Sequence, residues 1–241
     1  MKLRKRNLCL AALMKLKQRN SLYGVLALWA TAWLTTIVFV RKVDPQSLPP
    51  QIYDGFNYRP IHTLDDRSIL IEAFFDPLCP DARNSWPPLK QALRYYGSRL
   101  QLRVHLLPLP YHDYAFAASR ALHVVNSLNN SYTFPLLEQF FEHQGNFYNG
   151  QTKDFSRVSV ITGMQKFVAK AVGDALYADI VAGFNDISTD LMTRISFKFS
   201  ASRGVSGTPT FFVNGFVLPE SSTPADFNGW KLVIDPLIGR M

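Results

Sequence analysis

Cys79 is one of two cysteines in a chain of 241 residues, and it lies in the stretch FFDPLCPDARNSW, Phe74 to Trp86. An apolar run stops at Asp76-Pro77, and Pro80 follows the cysteine directly. Proline suits the first position of a helix, where its missing N–H would be unpaired anyway, and Asp81 favours the positive end of the helix dipole. Cys79 is therefore expected at a helix N-terminus, where unpaired amides and the dipole favour a thiolate. A thiolate attacks disulfides, makes mixed disulfides and accepts glutathione. Three residues on stands Ala82, so the motif holds no second thiol to resolve a mixed disulfide. The bland alternative is a small apolar filler in a retired site, because free cysteines are inert unless exposed and electropositive.

Other chemistries find less support. The histidines His62, His105, His112, His123 and His143 share no metal-ligand spacing with each other or with Cys79, so no metal is expected. His112, in PYHDY, is the one that loop proximity would place near Cys79 as a base. No phosphate loop, Ser-His-Asp order or paired-carboxylate motif stands out.

The elements that must position Cys79 follow from periodicity. Ser68 to Phe75, SILIEAFF, reads as a buried strand. A helix from Cys79 runs through Leu89, Leu93 and Tyr96 to Gly97, with a kink expected at Pro87-Pro88. Leu100 to Leu107 alternates toward a second strand. From Tyr114 to Ser200 helical spacing takes over, in four expected helices. One carries Phe116 to Leu128 and a second Leu136 to Phe141; a third carries Val168 to Leu176, and a fourth Ile180, Phe184, Ile187, Leu191 and Ile195. Thr208 to Leu218 returns to strand, with Asn214-Gly215 as a type I′ hairpin signal. A last helix spans Trp230 to Ile238.

The formal charge of +8 is not spread over the chain. Lys2, Arg4, Lys5, Arg6, Lys15, Lys17, Arg19, Arg41 and Lys42 precede any acid, and removing these nine from 26 leaves 17 Lys and Arg against 18 Asp and Glu. A neutral body carries no electrostatic footprint for nucleic acid. Between the basic clusters, Leu22 to Val40 has no charge and spans roughly the ~30 Å hydrocarbon layer. A transmembrane signal anchor is expected there, with the basic N-terminus cytosolic and the body in the endoplasmic reticulum lumen or outside the cell. A cleaved signal peptide and a mitochondrial or plastid transit peptide remain alternatives. Cys9 would lie on the cytosolic side and could not pair with Cys79. In a lumenal body, Asn129-Asn130-Ser131 is a glycosylation sequon at Asn129.

Two motifs carry a family resemblance. One is Phe74-Phe75 followed by Cys79-Pro80-Asp81-Ala82, with Pro87 eight residues after Cys79; the other is GVSGTPTFFVNG, Gly204 to Gly215. With the order strand, helix, strand, helical block, hairpin, helix, the chain resembles the thioredoxin superfamily in its DsbA-like branch. The likeness is greatest to plant secretory members, which also lack the second cysteine. The resemblance implies an α/β thioredoxin fold with an inserted helical domain and a cis Thr208-Pro209 bond facing Cys79. It implies Cys79 as the reactive residue, Pro80, Thr208 and Pro209 as client contacts, and Asp81, Ala82 and Pro87 as structural parts of the site. The carboxylate that many members carry six residues before the cysteine is here Ala73, and Glu72 should point to the other face of its strand.

The implied organisation is a basic stretch over 1–21, an anchor over 22–40 and a linker over 41–51. The first thioredoxin half follows over 52–112, the helical insertion over 113–200 and the second half over 201–241. Expected partners are peptide thiol clients or glutathione, the latter as co-substrate, together with a membrane through 22–40. A client-binding module with a retired thiol is the second expectation. A glutathione-dependent transferase or isomerase resembling the kappa class, which has serine at the Cys79 position, is the third.

Overall fold

The computed structural model describes residues 53–59 and 68–238. Cys9, the apolar span 22–40 and the linker lie outside the described residues, and among those described no helix is long and apolar enough to cross a membrane. Strand β1 (Phe56–Asn57) and strand β2 (Ile69–Phe75) precede helix α1 (Pro80–Tyr96) and strand β3 (Leu100–Leu106). Five helices longer than two turns follow, α2 (Ala115–Leu128), α3 (Thr133–His143), α4 (Arg157–Val172), α5 (Tyr177–Asn185) and α6 (Ile187–Ser202), with a single helical turn, Asn149–Thr152, between α3 and α4. The hairpin β4 (Thr210–Val213) and β5 (Phe216–Val217) and helix α7 (Phe227–Ile238) complete the order.

The sheet runs β1-β3-β2-β4-β5, with β2 parallel to β3 and the other pairs antiparallel. Six of the seven residues of β2 are buried, as a central strand covered on both faces requires. Asn214 (φ 49°) and Gly215 (φ 83°) make the tight turn between β4 and β5, where two consecutive positive φ angles match the strand twist. Asn214 also exchanges two hydrogen bonds with Leu70, locking the β2–β4 register at its far end.

Strand alternation sorts the layers. Phe75 and Phe211 lie on one face and pack edge-on against Trp86 of α1 and Trp230 of α7. Phe74 and His105 stack on the other face against Phe199 of α6. Glu72 shares that second face, where Oε2 meets the Arg203 guanidinium at 3.3 Å and Oε1 accepts from the Tyr53 hydroxyl at 3.1 Å. The α1 side keeps Ala73, so no strand carboxylate stands under the helix at that position.

The segment between β3 and β4 departs from expectation in two places. The helix expected over Val168 to Leu176 starts earlier, at Arg157, and stops at Val172, because Gly173 (φ 134°) turns the backbone out of the helix and leaves Asp174–Leu176 to a separate 3-10 turn. Ile180 to Ile195 does not form one helix. Asp186 adopts an extended conformation, and its carboxylate accepts from the Ser188 amide at 2.8 Å, which starts α6 afresh as an N-cap. Ile187 is consequently 68% exposed, and the buried stripe of α6 is Thr189, Thr193, Ser196 and Ser200. Their short side chains suit a helix pressed against α2 and β3, and their hydroxyls turn inward to bond. Thr193 donates to Thr189 O at 2.7 Å and Ser200 to Leu106 O at 3.0 Å.

Residues 53–59 belong to the folded body. Asp54 Oδ2 lies 2.8 Å from His105 Nδ1, while Oδ1 accepts from the Ser196 hydroxyl, which in turn lies 3.0 Å from His123 Nε2. This buried chain of groups joins the N-terminal segment, the sheet and two helices of the insertion. Gly55 (φ 101°) makes the approach possible, since a Cβ there would sit 2.8 Å from the His105 ring.

Burial pushes the His123 imidazole down to about 4, with Asp54 working the other way. The folded state therefore refuses a proton that the unfolded chain accepts between its ordinary 6.5 and 4, so stability falls as pH drops through that window. At 1.36 kcal/mol per pKa unit the loss is about 3 kcal/mol at pH 4. Glu72, held below the usual carboxylate range chiefly by His105 and then Arg203, adds a further loss at lower pH. Urea unfolding at pH 7 and pH 4 should show this decline, and His123→Phe should flatten it.

Candidate functional site

Cys79 has extended backbone (φ −81°, ψ 123°) and forms the N-cap of α1, with Pro80 in the first turn and Asp81 acidic beside it. Its carbonyl accepts from the Arg83 amide at 3.1 Å, the first closed turn of the helix. The side chain is 4% exposed, and its Sγ donates to the Thr208 carbonyl at 3.3 Å. The Thr208-Pro209 bond is cis, so the two sequence motifs 129 positions apart meet at this one contact.

Ala82, one turn after Cys79, is fully buried, and Ser85 Oγ donates to its carbonyl at 2.8 Å. Asp81 and Pro87 are exposed on α1, while Pro80 and Pro209 are half-buried at the rim. Asn129 ends α2, exposed, with its side chain accepting from the Ser131 amide at 3.0 Å. A cavity of about 600 Å³ lies on that side, lined among others by Asn57, Tyr58, Asn126, Asn130 and Phe134, and none of the thiol-site residues contributes to it. Among the described residues no cluster of His, Cys, Asp and Glu is arranged to hold a metal ion.

Asp76 is the group that strand reasoning missed. Its fully buried carboxylate accepts from the Leu78 amide at 2.8 Å and the Leu109 amide at 3.1 Å, and Oδ2 lies 2.7 Å from His112 Nδ1. Its backbone carbonyl accepts from the Cys79 amide at 3.0 Å. His112 thus enters the site through Asp76, as the half-buried outer partner of a carboxylate that shapes both loops around the thiol.

Two tyrosines complete the surroundings. Loss of water on its inner side, then the charges of Cys79, Asp76 and Asp81, push the Tyr111 hydroxyl up. Burial likewise pushes Tyr148 up, with Arg83 opposing and Cys79 adding to the shift. Both phenols therefore lie within electrostatic reach of the sulfur. The arrangement sets one enclosed sulfur beside the half-buried Thr208-Pro209 segment, and it offers no second sulfur within the motif to close a disulfide.

A family model described as thioredoxin matches residues 66–230. Among solved structures, a protein from Pseudomonas syringae described as a candidate protein-disulfide isomerase superposes with a TM-score of 0.59 at 19% identity, covering 70% of this chain and 94% of its own. Oxidised BdbD from Bacillus subtilis gives 0.58 at 14%, covering 78% and 100%. The thiol-disulfide exchange protein alpha-DsbA2 from Wolbachia pipientis gives 0.53 at 18%, covering 72% and 83%. These likenesses establish a thioredoxin-like fold with DsbA-like neighbours. No curated protein matches the chain in sequence.

Asp76→Asn turns one acceptor oxygen into a donor that must face a buried N–H. The expected result is a loss of about 2 kcal/mol in urea unfolding with the far-ultraviolet spectrum unchanged.

Proposed function

The chain belongs to the thioredoxin family matched over residues 66–230, and we propose that Cys79 alone carries its chemistry, the exchange of disulfides in peptide clients. The observation that supports this most is the 3.3 Å contact of Cys79 Sγ with the Thr208 carbonyl at a cis Thr208-Pro209 bond. The same segment offers backbone groups to an extended peptide laid beside the sulfur, with Pro80 and Pro209 at its edges.

Attack of the Cys79 thiolate on a client disulfide forms an Sγ–S bond, breaks the client's S–S bond and releases a client thiolate. With Ala82 in the place of a resolving cysteine, the next step needs an outside thiol. A second thiolate of the same client attacks the client sulfur of the mixed disulfide, and Cys79 leaves as thiolate. The client's disulfides are then rearranged with no net oxidation, the outcome of an isomerase. Glutathione serves as the alternative outside thiol and becomes the new partner of the client sulfur.

The reading includes an oxidising compartment, the endoplasmic reticulum lumen or the cell exterior, in the manner of the plant secretory type. The acid-free basic stretches on either side of residues 22–40 support an anchored or secreted body, and Asn129 would then be open to glycosylation. A second reading, a client-binding module with an inert thiol, draws support from the 4% exposure of Cys79.

The full chain should be incubated with a disulfide-bonded peptide, quenched with alkylating agent and searched by mass spectrometry for adducts on Cys79. The expected result is a peptide mixed disulfide that Cys79→Ser abolishes. Equal, non-covalent capture by both forms would replace the thiol reading with the binding module. Ala82→Cys should create a dithiol that reduces insulin in the presence of dithiothreitol, which the unaltered chain should not do.

A further inference from the structure

Cys79 is too enclosed to meet a client sulfur without a displacement of its loop. Gln144, the first residue of the 3-10 turn after α3, sits where that displacement must occur, and its side chain is fully buried. An amide nitrogen has two hydrogens, and Gln144 Nε2 sends them to two carbonyls of the thiol loop, Pro77 O and Cys79 O, each at 3.2 Å. Its Oε1 accepts from the Tyr148 hydroxyl at 2.7 Å. Every hydrogen of the amide is therefore used, and both go to backbone on either side of Leu78.

The same segment grips the opposite loop. Asn149 Nδ2 donates to Tyr111 O at 2.9 Å, and its Oδ1 accepts from the Asp113 amide at 3.1 Å. An apolar residue of similar volume would fill the Gln144 site, and a glutamate would keep its shape, but neither supplies two donors to those carbonyls.

We propose that Gln144 is the positioning residue for the Cys79 thiol: its amide holds the Pro77–Cys79 loop against the helical insertion and sets how often the sulfur is presented. The role rests on the client chemistry assigned to Cys79 above, whereas its test reads the thiol directly. A second link between the insertion and α1 provides the control. Glu138 of α3 accepts from Trp86 Nε1 at 3.1 Å and pairs with Lys90, gripping α1 without touching the backbone of the thiol loop.

The experiment measures iodoacetamide labelling of Cys79 in the full chain by peptide mass spectrometry, from zero urea up to concentrations below unfolding. Gln144→Met should label about tenfold faster at zero urea, at a rate that stays flat as urea rises, because the opening is local. Tyr148→Phe should fall between it and the unaltered chain, and Glu138→Gln should label as the unaltered chain does. Unchanged labelling of Gln144→Met overturns the proposal, as does acceleration that climbs with urea like global unfolding. Should Gln144→Met fail to fold, unchanged labelling of Tyr148→Phe overturns it. A Gln144→Met chain that labels rapidly yet captures no peptide supports the positioning role and removes the client role.

Discussion

Asp76 ends the central strand with a fully buried carboxylate, and the two loops that frame Cys79 both take their shape from it. A carboxylate without solvent is costly unless hydrogen bonds surround it. Here the Leu78 and Leu109 amides and the His112 ring supply them, so the ends of β2 and β3 are bound to one small group. The Cys79 amide is then taken by the Asp76 backbone carbonyl, and the cysteine arrives at the head of α1 with its sulfur turned to Thr208. Every other feature of the thiol site presupposes this anchoring.

The helical insertion is joined to the sheet by polar contacts as much as by apolar packing. On one face of the sheet, His123, Ser196, Asp54 and His105 form a continuous buried path; on the other, Gln144 holds the thiol loop and Glu138 holds α1. Such contacts add modest net stability but penalise alternative packings heavily, since a shifted helix would leave several buried groups unpaired. The insertion therefore has a defined seat around the thiol, and the tyrosines Tyr111 and Tyr148 have defined places at its rim.

What the sequence disclosed was what neighbouring residues determine. Pro80 after Cys79 marked the start of α1, Asn214-Gly215 marked the hairpin, and apolar periodicity marked the central strands and most helices. The site's supports were hidden because their partners are distant along the chain. Asp76 meets Leu109 33 positions away, and Gln144 meets Pro77 across 67. A glutamine after FFEH carries no local sign that its amide will be buried. The break before α6 did have a sign, because Asp186 two residues before Ser188 is an N-cap pattern, yet the apolar spacing of Ile180 to Ile195 spoke louder. The buried Thr and Ser stripe of α6 escaped for a related reason: hydropathy counts hydroxyls as polar, whereas close helix contact counts them as small.

Cys79 and Thr208 touch across 129 positions, with the whole insertion between them. A ribosome adding ~5–20 residues per second would need roughly 6 to 26 seconds after making Cys79 before it reached Thr208. During that interval the nascent chain holds β2 without its β4 neighbour, and Cys79 at the head of α1 without the carbonyl that accepts from its sulfur. The length of the insertion thus acts as a timer on translation, fixing how long a newborn chain carries an unshielded sulfur before its own C-terminal segment arrives to cover it.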